Sequence, residues 1–401
     1  MSGAGAAGVP AGDGVRADGE IHADGGNLAD GGAPAGLTYA AAGVDTEAGD
    51  KAVELMKDAV RATHGREVLG GVGGFAGLYD ASALARFRKP LLATSTDGVG
   101  TKVAIAQAMD VHDTVGFDLV GMVVDDIVAV GATPLFMTDY IACGRVVPER
   151  IAAIVQGIAE ACQVAGTALV GGETAEHPGL LGPDEYDIAG AVTGVVEADA
   201  VLGPERVRVG DVVVALEASG LHANGYSLVR KVVATAGWAL ERHVPDFGRT
   251  LGEELLEPTR VYASDVLALV ERAAGGVHAM SHVTGGGLAA NLARVLPAGL
   301  VAGVDRGSWT VPPVFAVVRE LGDVPWSDLE KTLNLGVGMV AVVTPESLAG
   351  VLAHSAELGL DAWVLGEVSE LDTAPDDIEL VAGTKGVHGG AVAMTGSYRT
   401  G

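Results

Sequence analysis

The sequence predicts a mixed α/β fold, because segments with helical periodicity alternate with short apolar runs that have the composition of buried strands. Helical periodicity runs through Lys51–Thr63 and Pro148–Ala165, whereas Leu91–Thr96 and Asp187–Val196 are typical of strands. The chain has 401 residues, and about 150 residues per domain is the usual expectation for a globular protein. We therefore expect two domains, joined at the turn-rich stretch Ala198–Gly210.

Composition divides the chain into four regions. Residues 1–36 contain 11 glycines and 9 alanines and no continuous apolar run, so we expect a disordered segment rather than a signal peptide. Residues 37–198 and 199–371 are expected to form the N-terminal and C-terminal α/β domains. The glycine-rich residues 372–401 are expected to be a loose C-terminal extension.

Charge and cysteine content narrow the class of protein. A formal net charge of −27 argues against nucleic-acid or anionic-membrane partners, because the long-range field of the chain would repel both. The two cysteines, Cys143 and Cys162, fit no metal-ligand spacing and no disulfide framework, which favours a reducing compartment. The longest apolar run is interrupted by Asp125 and Asp126, so we expect no membrane span and a soluble, cytoplasmic protein.

The hexapeptide DGVGTK, residues 97–102, follows a strand-like apolar run. Asp97 could bind a cation, and Gly98 and Gly100 would let backbone N–H groups approach an anion. Thr101 adds a hydroxyl and Lys102 adds a positive charge. The spacing is not that of a Walker loop. Phosphate and metal binding is therefore one interpretation, and a plain strand-to-helix turn is the other.

The segment Gly116–Pro134 is predicted to be a helix that ends at Gly131, and it is apolar except at three aspartates. Asp118 and Asp125 lie seven residues apart and share one helix face, and Asp126 flanks the second. A buried ionised carboxylate needs a partner, and metal ions would supply one. Alternatively, the helix is half exposed and the aspartates face water.

Further acidic residues follow short apolar strands. Glu173 and Thr174 come directly after a glycine pair, and Asp139 lies inside the apolar run Phe136–Ala142. Because Mg²⁺ is commonly held by a few carboxylates together with substrate phosphates, these strand ends suggest one shared cation site.

Taken together, the motifs resemble those of the phosphoribosylformylglycinamidine cyclo-ligase family, the aminoimidazole ribonucleotide synthetases. The resemblance covers about residues 38–370 and rests on nine motifs. They are Thr38-Tyr39 with Ala42–Asp45, the glycine loop Gly70–Phe75, Asp97–Lys102, Asp126-x4-Gly131-Ala132-x-Pro134, Gly171–Gly179, Ser219–Arg230, Glu257–Arg260, His282-x-Thr284–Gly287 and Asn334-x-Gly336–Met339.

The family's fold implies an N-terminal α/β domain whose sheet pairs with that of its partner in a homodimer, and a C-terminal α/β domain. The N-terminal domain would bind ATP and Mg²⁺, and the C-terminal domain would bind the substrate. The implied reaction is ATP-driven closure of formylglycinamidine ribonucleotide to 5-aminoimidazole ribonucleotide, with release of ADP and phosphate.

The resemblance also implies site residues. For catalysis they are Lys102, Asp126 and His222; for ATP, Gly71, Gly73, Gly74, Asp97, Gly98, Gly100, Thr101 and Lys102; for the substrate, Glu173, Thr174, His222, Asn224, Thr284, Gly285 and Gly286; and for Mg²⁺, Asp97, Asp125, Asp126 and Glu173. The loop Gly70–Gly77 would act as a lid over ATP, because it lacks the strand and helix context of a dinucleotide fingerprint.

Two positions in the second half keep alternative interpretations. His222 and Asn224 precede a predicted helix, Gly225–Ala236, where a ligand could meet free N–H groups; alternatively, Asn224 only caps the helix and His222 faces solvent. Residues 284–287 lead into a predicted helix, Leu288–Val295, whose N-terminus could hold the ribose phosphate, or they are only a loop. His222 would transfer a proton or orient the substrate.

Two residues depart from the family pattern, in which Asn is frequent at position 125 and Cys at position 335. Asp125 and Leu335 stand there, so metal number is in question and that Cys is dispensable in this chain. The related thiamine monophosphate kinases remain the alternative enzyme, and a non-catalytic nucleotide-binding protein is the alternative from another class.

Overall fold

The computed structural model describes residues 43–373, 378–383 and 389–400 of the chain. The helices of these residues are α1 (Thr46–Ala62), α2 (Val103–Met109), α3 (Thr114–Val128), α4 (Pro148–Ala165), α5 (Tyr226–Ala236), α6 (Leu251–Leu255), α7 (Ala263–Arg272), α8 (Gly287–Leu292), α9 (Pro313–Gly322), α10 (Trp326–Glu330) and α11 (Pro345–Glu357). The strands are β1 (Val68–Leu69), β2 (Leu78–Tyr79), β3 (Pro90–Gly98), β4 (Thr133–Cys143), β5 (Ala168–Glu176), β6 (Tyr186–Glu197), β7 (Val212–Glu217), β8 (His243–Val244), β9 (Arg249–Thr250), β10 (Val277–His282), β11 (Leu300–Asp305), β12 (Thr310–Val311), β13 (Val337–Val343), β14 (Ala362–Glu370), β15 (Leu380–Ala382), β16 (Ala391–Thr395) and β17 (Arg399–Thr400).

The N-terminal half is built on a four-stranded sheet in the order β3-β6-β4-β5. The strands β4 and β5 are parallel, and the other two pairings are antiparallel. Helix α3 packs on this sheet and against α4, and α1 packs on α4. Alternate residues of β6, such as Ile188 and Val192, are buried beneath the helices. The opposite face is open, with Leu92 64% and Tyr140 38% exposed.

The predicted elements of this half are confirmed where periodicity was strong. Helix α4 spans the predicted residues 148–165, with Pro148 in its first turn and Gly166 closing it at φ +70°. Helix α1 covers the helix predicted at residues 51–63 up to Ala62. It is capped by Asp45, which accepts hydrogen bonds from N–H groups of its first turn. Strand β6 contains the predicted strand at 187–196.

Two predicted boundaries are wrong. The helix that was expected to end at Gly131 ends at Val128, because the chain reverses through Gly131 at φ +81° and enters β4 at Thr133. The strand expected to stop at Thr96 continues to Gly98, so Asp97 lies in β3 and not in the turn after it. Its Cα is paired with that of Gly190 on β6.

The C-terminal half is built on a seven-stranded sheet in the order β10-β13-β7-β14-β11-β16-β15. Every residue of β13 is buried. Alternate residues of β7 belong to two different cores, Val214 and Leu216 to one and Val213 and Ala215 to the other. Both faces of this sheet are therefore covered, and the first of these cores also includes the helices of the N-terminal half.

The expectation of a loose C-terminal extension is wrong for the described residues 389–400. Strand β16 lies parallel to β11, and its residues Ala391–Met394 are buried. Strand β17 pairs with β12. Backbone hydrogen bonds and apolar burial fix this segment, although its sequence is rich in small residues.

The expectations for the glycine-rich residues 1–36 and for the motif residues 38–42 concern residues that lie outside the described ones.

Across the residues that are described, no helix is long and apolar enough to cross a membrane.

Candidate active site

A cavity of about 500 Å³ lies where the turn after β3 faces the start of α5. It brings together four predicted ATP residues from the first half and one predicted substrate residue, Asn224, from the second. Its lining comprises Asp97, Gly98, Val99, Gly100, Thr101, Met122, Ala223, Asn224, Gly225, Tyr226, Ser227, Leu228 and Thr332. The Oγ atoms of Thr101 and Ser227 are 3.2 Å apart, so hydroxyls from both halves meet at its wall.

The wall contributed by the second half is the N-terminal end of an 11-residue helix. Helix α5 begins at Tyr226 after Gly225, and no side chain caps it. Its first N–H groups therefore have no partner within the helix, and together with the helix dipole they favour an anion. Gly285 lies beside this wall, because a Cβ on it would stand 3.4 Å from Oδ1 of Asn224.

An acidic group surrounds Asp126, which lies on α3 about one turn beyond the cavity-lining Met122 and is 43% exposed. Its Oδ1 atom lies 3.0 Å from Nδ1 of His282, and its Oδ2 atom accepts a bond from Ser95 at 3.4 Å. Burial of His282 opposes protonation, but the bond to Asp126 and the charges of Asp125, Asp126 and Asp97 raise the pKa of this imidazole overall. His282, which was not among the predicted site residues, is thus a bonded partner of the predicted residue Asp126.

Asp125 is turned away from this open group. It is fully buried, and both of its oxygens accept the N–H of Tyr262, at 3.0 and 3.1 Å, where α7 begins. Burial raises the pKa of Asp125 to about 7, although His282 and backbone donors oppose the shift. Backbone N–H groups at a helix start therefore meet the polar requirement of this carboxylate in this structure.

Lys102 is fully buried and faces away from the cavity. Its ammonium donates to Asp118 Oδ1 at 2.8 Å, to the His222 carbonyl at 3.0 Å and to the Glu257 carbonyl at 2.6 Å. Asp118 Oδ1 also accepts from the backbone N–H and hydroxyl of Thr259. All three ammonium donors are used. Lys102 is thus a partner for the buried Asp118, and in this structure Lys102 has no donor left for a phosphate.

His222 also lies behind the cavity wall. It is 2% exposed and adopts φ +60°, and its Nε2 accepts the N–H of Ser219 at 3.2 Å. Burial, with the positive charges of His282, Lys102 and Arg260, lowers the pKa of His222 to about 3. The ring is therefore neutral with its proton on Nδ1, and neither the proton-transfer role nor the solvent-facing alternative agrees with this placement.

A second cavity, of about 540 Å³, lies between α1, the glycine loop and the neighbouring strands β4 and β5. Its lining includes the remaining predicted residues of the first half, Gly71, Gly73, Gly74, Glu173 and Thr174, and also Asp139. The glycine loop connects β1 to β2. Burial raises the pKa of Asp139 to about 7.

The predicted metal ligands do not form one set within the chain. Asp97 is on the edge strand β3 and Glu173 on the opposite edge strand β5, so three strand spacings, about 14 Å, separate them. Glu173 pairs with Tyr140 on the open face, whereas Asp97 pairs with Gly190 on the helix-covered face. Among the described residues, no three His, Cys, Asp or Glu side chains converge as metal ligands.

The phosphate loop predicted at residues 284–287 is only partly as expected. Gly286 and Gly287 adopt φ +108° and +73°, and the following helix α8 has six residues before a 3-10 turn at Ala293–Val295. The loop therefore contributes backbone near Asn224 and not the start of a long helix.

Two family models match this chain. The model described as AIR synthase related protein, N-terminal domain, matches residues 79–196, and its C-terminal counterpart matches residues 208–374. Three named phosphoribosylformylglycinamidine cyclo-ligases are similar along most of their length. The protein from Geobacillus kaustophilus (strain HTA426) is 48% identical over 333 residues, that from Desulfitobacterium hafniense (strain DSM 10664 / DCB-2) 47% over 334, and that from Alkaliphilus oremlandii (strain OhILAs) 44% over 335. Each match covers 83% of this chain and 95–97% of the relative.

Solved structures share the fold at low identity. Thiamine-monophosphate kinase from Stenotrophomonas maltophilia K279a has a TM-score of 0.58 at 18% identity, covering 86% of this chain and 96% of the kinase. A hydrogenase maturation protein of E. coli has a TM-score of 0.57 at 20% identity, with 81% and 91% covered. These likenesses describe architecture, whereas the sequence relatives identify the family. The resemblance predicted from the motifs is therefore confirmed, and the chain belongs to the phosphoribosylformylglycinamidine cyclo-ligase family, with one AIR synthase related domain in each half.

Proposed function

We propose that the protein closes the imidazole ring of 5-aminoimidazole ribonucleotide from formylglycinamidine ribonucleotide, converting ATP to ADP and phosphate in de novo purine biosynthesis. The observation that carries the proposal is the cavity of about 500 Å³, in which the end of β3 and the turn after it, residues 97–101, face Asn224 and the first turn of α5. Family membership supports the choice of reaction, since the relatives that match along nearly their whole length bear this name.

The reaction needs an oxygen atom to leave. Transfer of the γ-phosphoryl group to the formyl oxygen would make that oxygen a phosphate leaving group. The amidine nitrogen then forms the new C–N bond and displaces phosphate with the oxygen, and the nitrogen loses a proton. The second step is intramolecular, so the protein's main contribution to it is orientation, which is worth much of such a barrier.

Phosphoryl transfer requires control of charge. Asp97 lines the cavity and Asp126 is 43% exposed. Both carboxylates act electrostatically on His282, and no Lys or Arg pairs with either among the described residues. Mg²⁺ is commonly held by one or two carboxylates together with substrate phosphates, and this pair fits that pattern. When bound, Mg²⁺ would offset the negative charge of the triphosphate. We assign no metal-binding role to Asp125, whose oxygens are bonded to Tyr262.

The second half would hold the ribonucleotide. The free N–H groups at the start of α5 suit its phosphate, and Asn224 beside Gly285 can orient a polar group. His282 would fix the orientation of the Asp126 carboxylate. Burial lowers the pKa of His282, but the bond to Asp126 together with the charges of Asp125, Asp126 and Asp97 raises it overall. Lys102 and His222 would support the site from behind and not contact the reacting atoms.

We further propose that the protein works as a homodimer in the cytoplasm. The face of the four-stranded sheet away from α3 and α4 presents Leu92 and Tyr140 to solvent, and Glu173 lies on the same face. An open sheet face of this kind usually marks an interaction surface. A second copy would cover it and would place Glu173 and Thr174 in the interface.

A product assay tests the proposed reaction. Purified protein given formylglycinamidine ribonucleotide and Mg-ATP should form one diazotisable aminoimidazole per ADP released. Thiamine monophosphate with Mg-ATP is the comparison substrate, because the kinase shares the fold. ADP formation with thiamine monophosphate, and none with the amidine, would overturn the assignment.

A further inference from the structure

Residues 391–400, here called the C-terminal strap, extend beyond the stretch matched by the C-terminal family model, which ends at residue 374. They nevertheless form part of the fold: β16 lies parallel to β11, and β17 pairs with β12. Between these strands Tyr398 packs against two tryptophans. Its ring centroid is 4.8 Å from that of Trp326 and 5.4 Å, edge to face, from that of Trp309.

The strap also engages a buried ion pair through Arg306. The guanidinium donates to the Met394 carbonyl at 2.7 Å and binds Glu330 with two bonds, at 3.0 and 2.9 Å. It also lies 5.8 Å from the centroid of the Tyr398 ring. Both charged side chains are mostly buried, so this two-pronged pair is rigid and directional. Arg306 thereby connects the strap to Glu330.

Glu330 begins the segment 330–336, which contacts both glycine turns on the predicted substrate side. A Cβ on Gly287 would stand 1.7 Å from the Glu330 carbonyl, and one on Gly225 would stand 2.3 Å from Leu333. At Gly287 the backbone leaves no room for a Cβ, and Gly225 adopts φ +79°, which favours glycine, so both turns rest directly on the segment. Thr332 lines the cavity beside Asn224.

The segment is held at its other end as well. The Leu335 carbonyl accepts the indole N–H of Trp309 at 2.9 Å, and Asn334 donates to the Gly220 carbonyl at 2.9 Å. Leu335 adopts φ +50°, a conformation that a branched side chain rarely takes without support. Trp309 is itself one of the two rings that pack against Tyr398.

We propose that the C-terminal strap positions the substrate side of the active site, with Met394 and Tyr398 acting through Arg306, Glu330 and Trp309 on the segment 330–336. These five residues do not contact the reacting groups and are positioning residues. Naming the affected ligand as the ribonucleotide rests on the proposed function, whereas the mechanical connection does not.

Point variants of the full chain test the proposal. Tyr398→Ala removes the ring from between the tryptophans, and Tyr398→Phe keeps the packing and should restore wild-type behaviour. The matched control is Val301→Ala, since Val301 packs with Ala391 and Ala393 on the other face of the same β11–β16 pairing. The control weakens the same strand pairing without touching Arg306 or Tyr398.

Two measurements separate the outcomes. In Tyr398→Ala, hydrogen exchange should quicken in peptides covering residues 284–288 and 330–338, and the KM for the amidine substrate should rise at least about fivefold with the KM for ATP unchanged. In Val301→Ala, neither the hydrogen exchange of these peptides nor the KM for the amidine substrate should change, even if the melting temperature falls as much as in Tyr398→Ala. Unaltered exchange in Tyr398→Ala, or equal changes in both variants, would contradict the positioning role of the strap. If exchange quickens in Tyr398→Ala but the wild-type protein forms no aminoimidazole, the proposed function is refuted and the positioning role of the strap is retained.

Discussion

The carboxylates around α3 form a buried region and an open region that differ in how the protein satisfies them. In the buried region, Asp118 is bonded to Lys102 and Thr259, and Asp125 is bonded to the start of α7. In the open region, Asp97 lines the cavity, Asp126 is 43% exposed, and Nδ1 of His282 lies 3.0 Å from Asp126. Identical side chains therefore serve different purposes: the first pair fastens the two halves together, and the second pair is left with negative charge that a ligand can use.

This difference also relocates Lys102. A lysine next to a glycine turn suggests phosphate binding, yet its ammonium joins α3 to two carbonyls of the C-terminal half. Substitutions in the buried region should therefore affect stability, and substitutions in the open region should affect catalysis.

The largest effect is expected from Lys102→Met. It leaves Asp118 buried without its cation, and breaking such a pair costs about 3–5 kcal/mol of unfolding free energy. Urea denaturation at neutral pH measures this loss. The double variant Lys102→Met/Asp118→Asn should recover part of it, because the uncompensated charge is gone. Undiminished stability together with a raised KM for ATP would return Lys102 to the nucleotide site.

Asp126→Asn and Asp97→Asn should do the reverse. We expect kcat/KM to fall about 100-fold or more with a higher Mg²⁺ requirement, while the unfolding free energy changes by no more than about 0.5 kcal/mol. Steady-state kinetics over a range of Mg²⁺ concentrations measures the first effect. Asp372→Asn, at an exposed position outside the cavity, is the control. Wild-type kinetics in both variants would remove the open pair from the site.

A smaller, oligomeric effect is expected from the open face of the four-stranded sheet. Leu92→Asp places a charge in the proposed dimer interface and should shift the mass measured by light scattering from dimer toward monomer. Val209→Asp provides the control, because Val209 is 55% exposed in the C-terminal half. A mass that stays dimeric in Leu92→Asp, or a wild-type monomer, would contradict this interface.

The smallest effect concerns pH and Asp139, a half-buried carboxylate outside both regions. Burial raises its pKa to about 7 in the folded chain, above the value near 4 of an unfolded aspartate. The folded state therefore holds more protons between these values, and the stability contributed by Asp139 falls as pH rises through that window. Asp139→Asn should be increasingly more stable than wild type from about pH 4 to 7, with a constant advantage above. A difference in melting temperature that does not vary with pH would show that the carboxylate is not desolvated.

The secondary structure of the chain was predictable where a local pattern decides it. Helix α4 has helical periodicity, an N-terminal proline and a closing glycine, and all three signals lie within its own 18 residues and the next residue. Strand β6 alternates buried and more exposed residues for the same local reason. The acidic character of the site and its glycine turns were also visible in the sequence.

What could not be predicted depends on distant partners. Asp118 meets Thr259 across 141 positions, and Asp126 meets His282 across 156, so no local pattern distinguishes the fastened aspartate from the open one. The C-terminal strap has few large apolar residues, and its order comes from β11 and Arg306, the latter 88 positions before Met394. His282 stood in a family motif, but its bond to Asp126 became apparent only once the two halves were placed together.

A crystal structure with Mg²⁺ and a non-hydrolysable ATP analogue would show directly which carboxylates bind the metal ion. We expect a metal ion about 2.1 Å from a carboxylate oxygen of Asp97 or Asp126, with Asp125 still bonded to Tyr262 and Lys102 still bonded to Asp118. A metal ion held by Asp125, with Lys102 turned out onto the phosphates, would contradict this expectation.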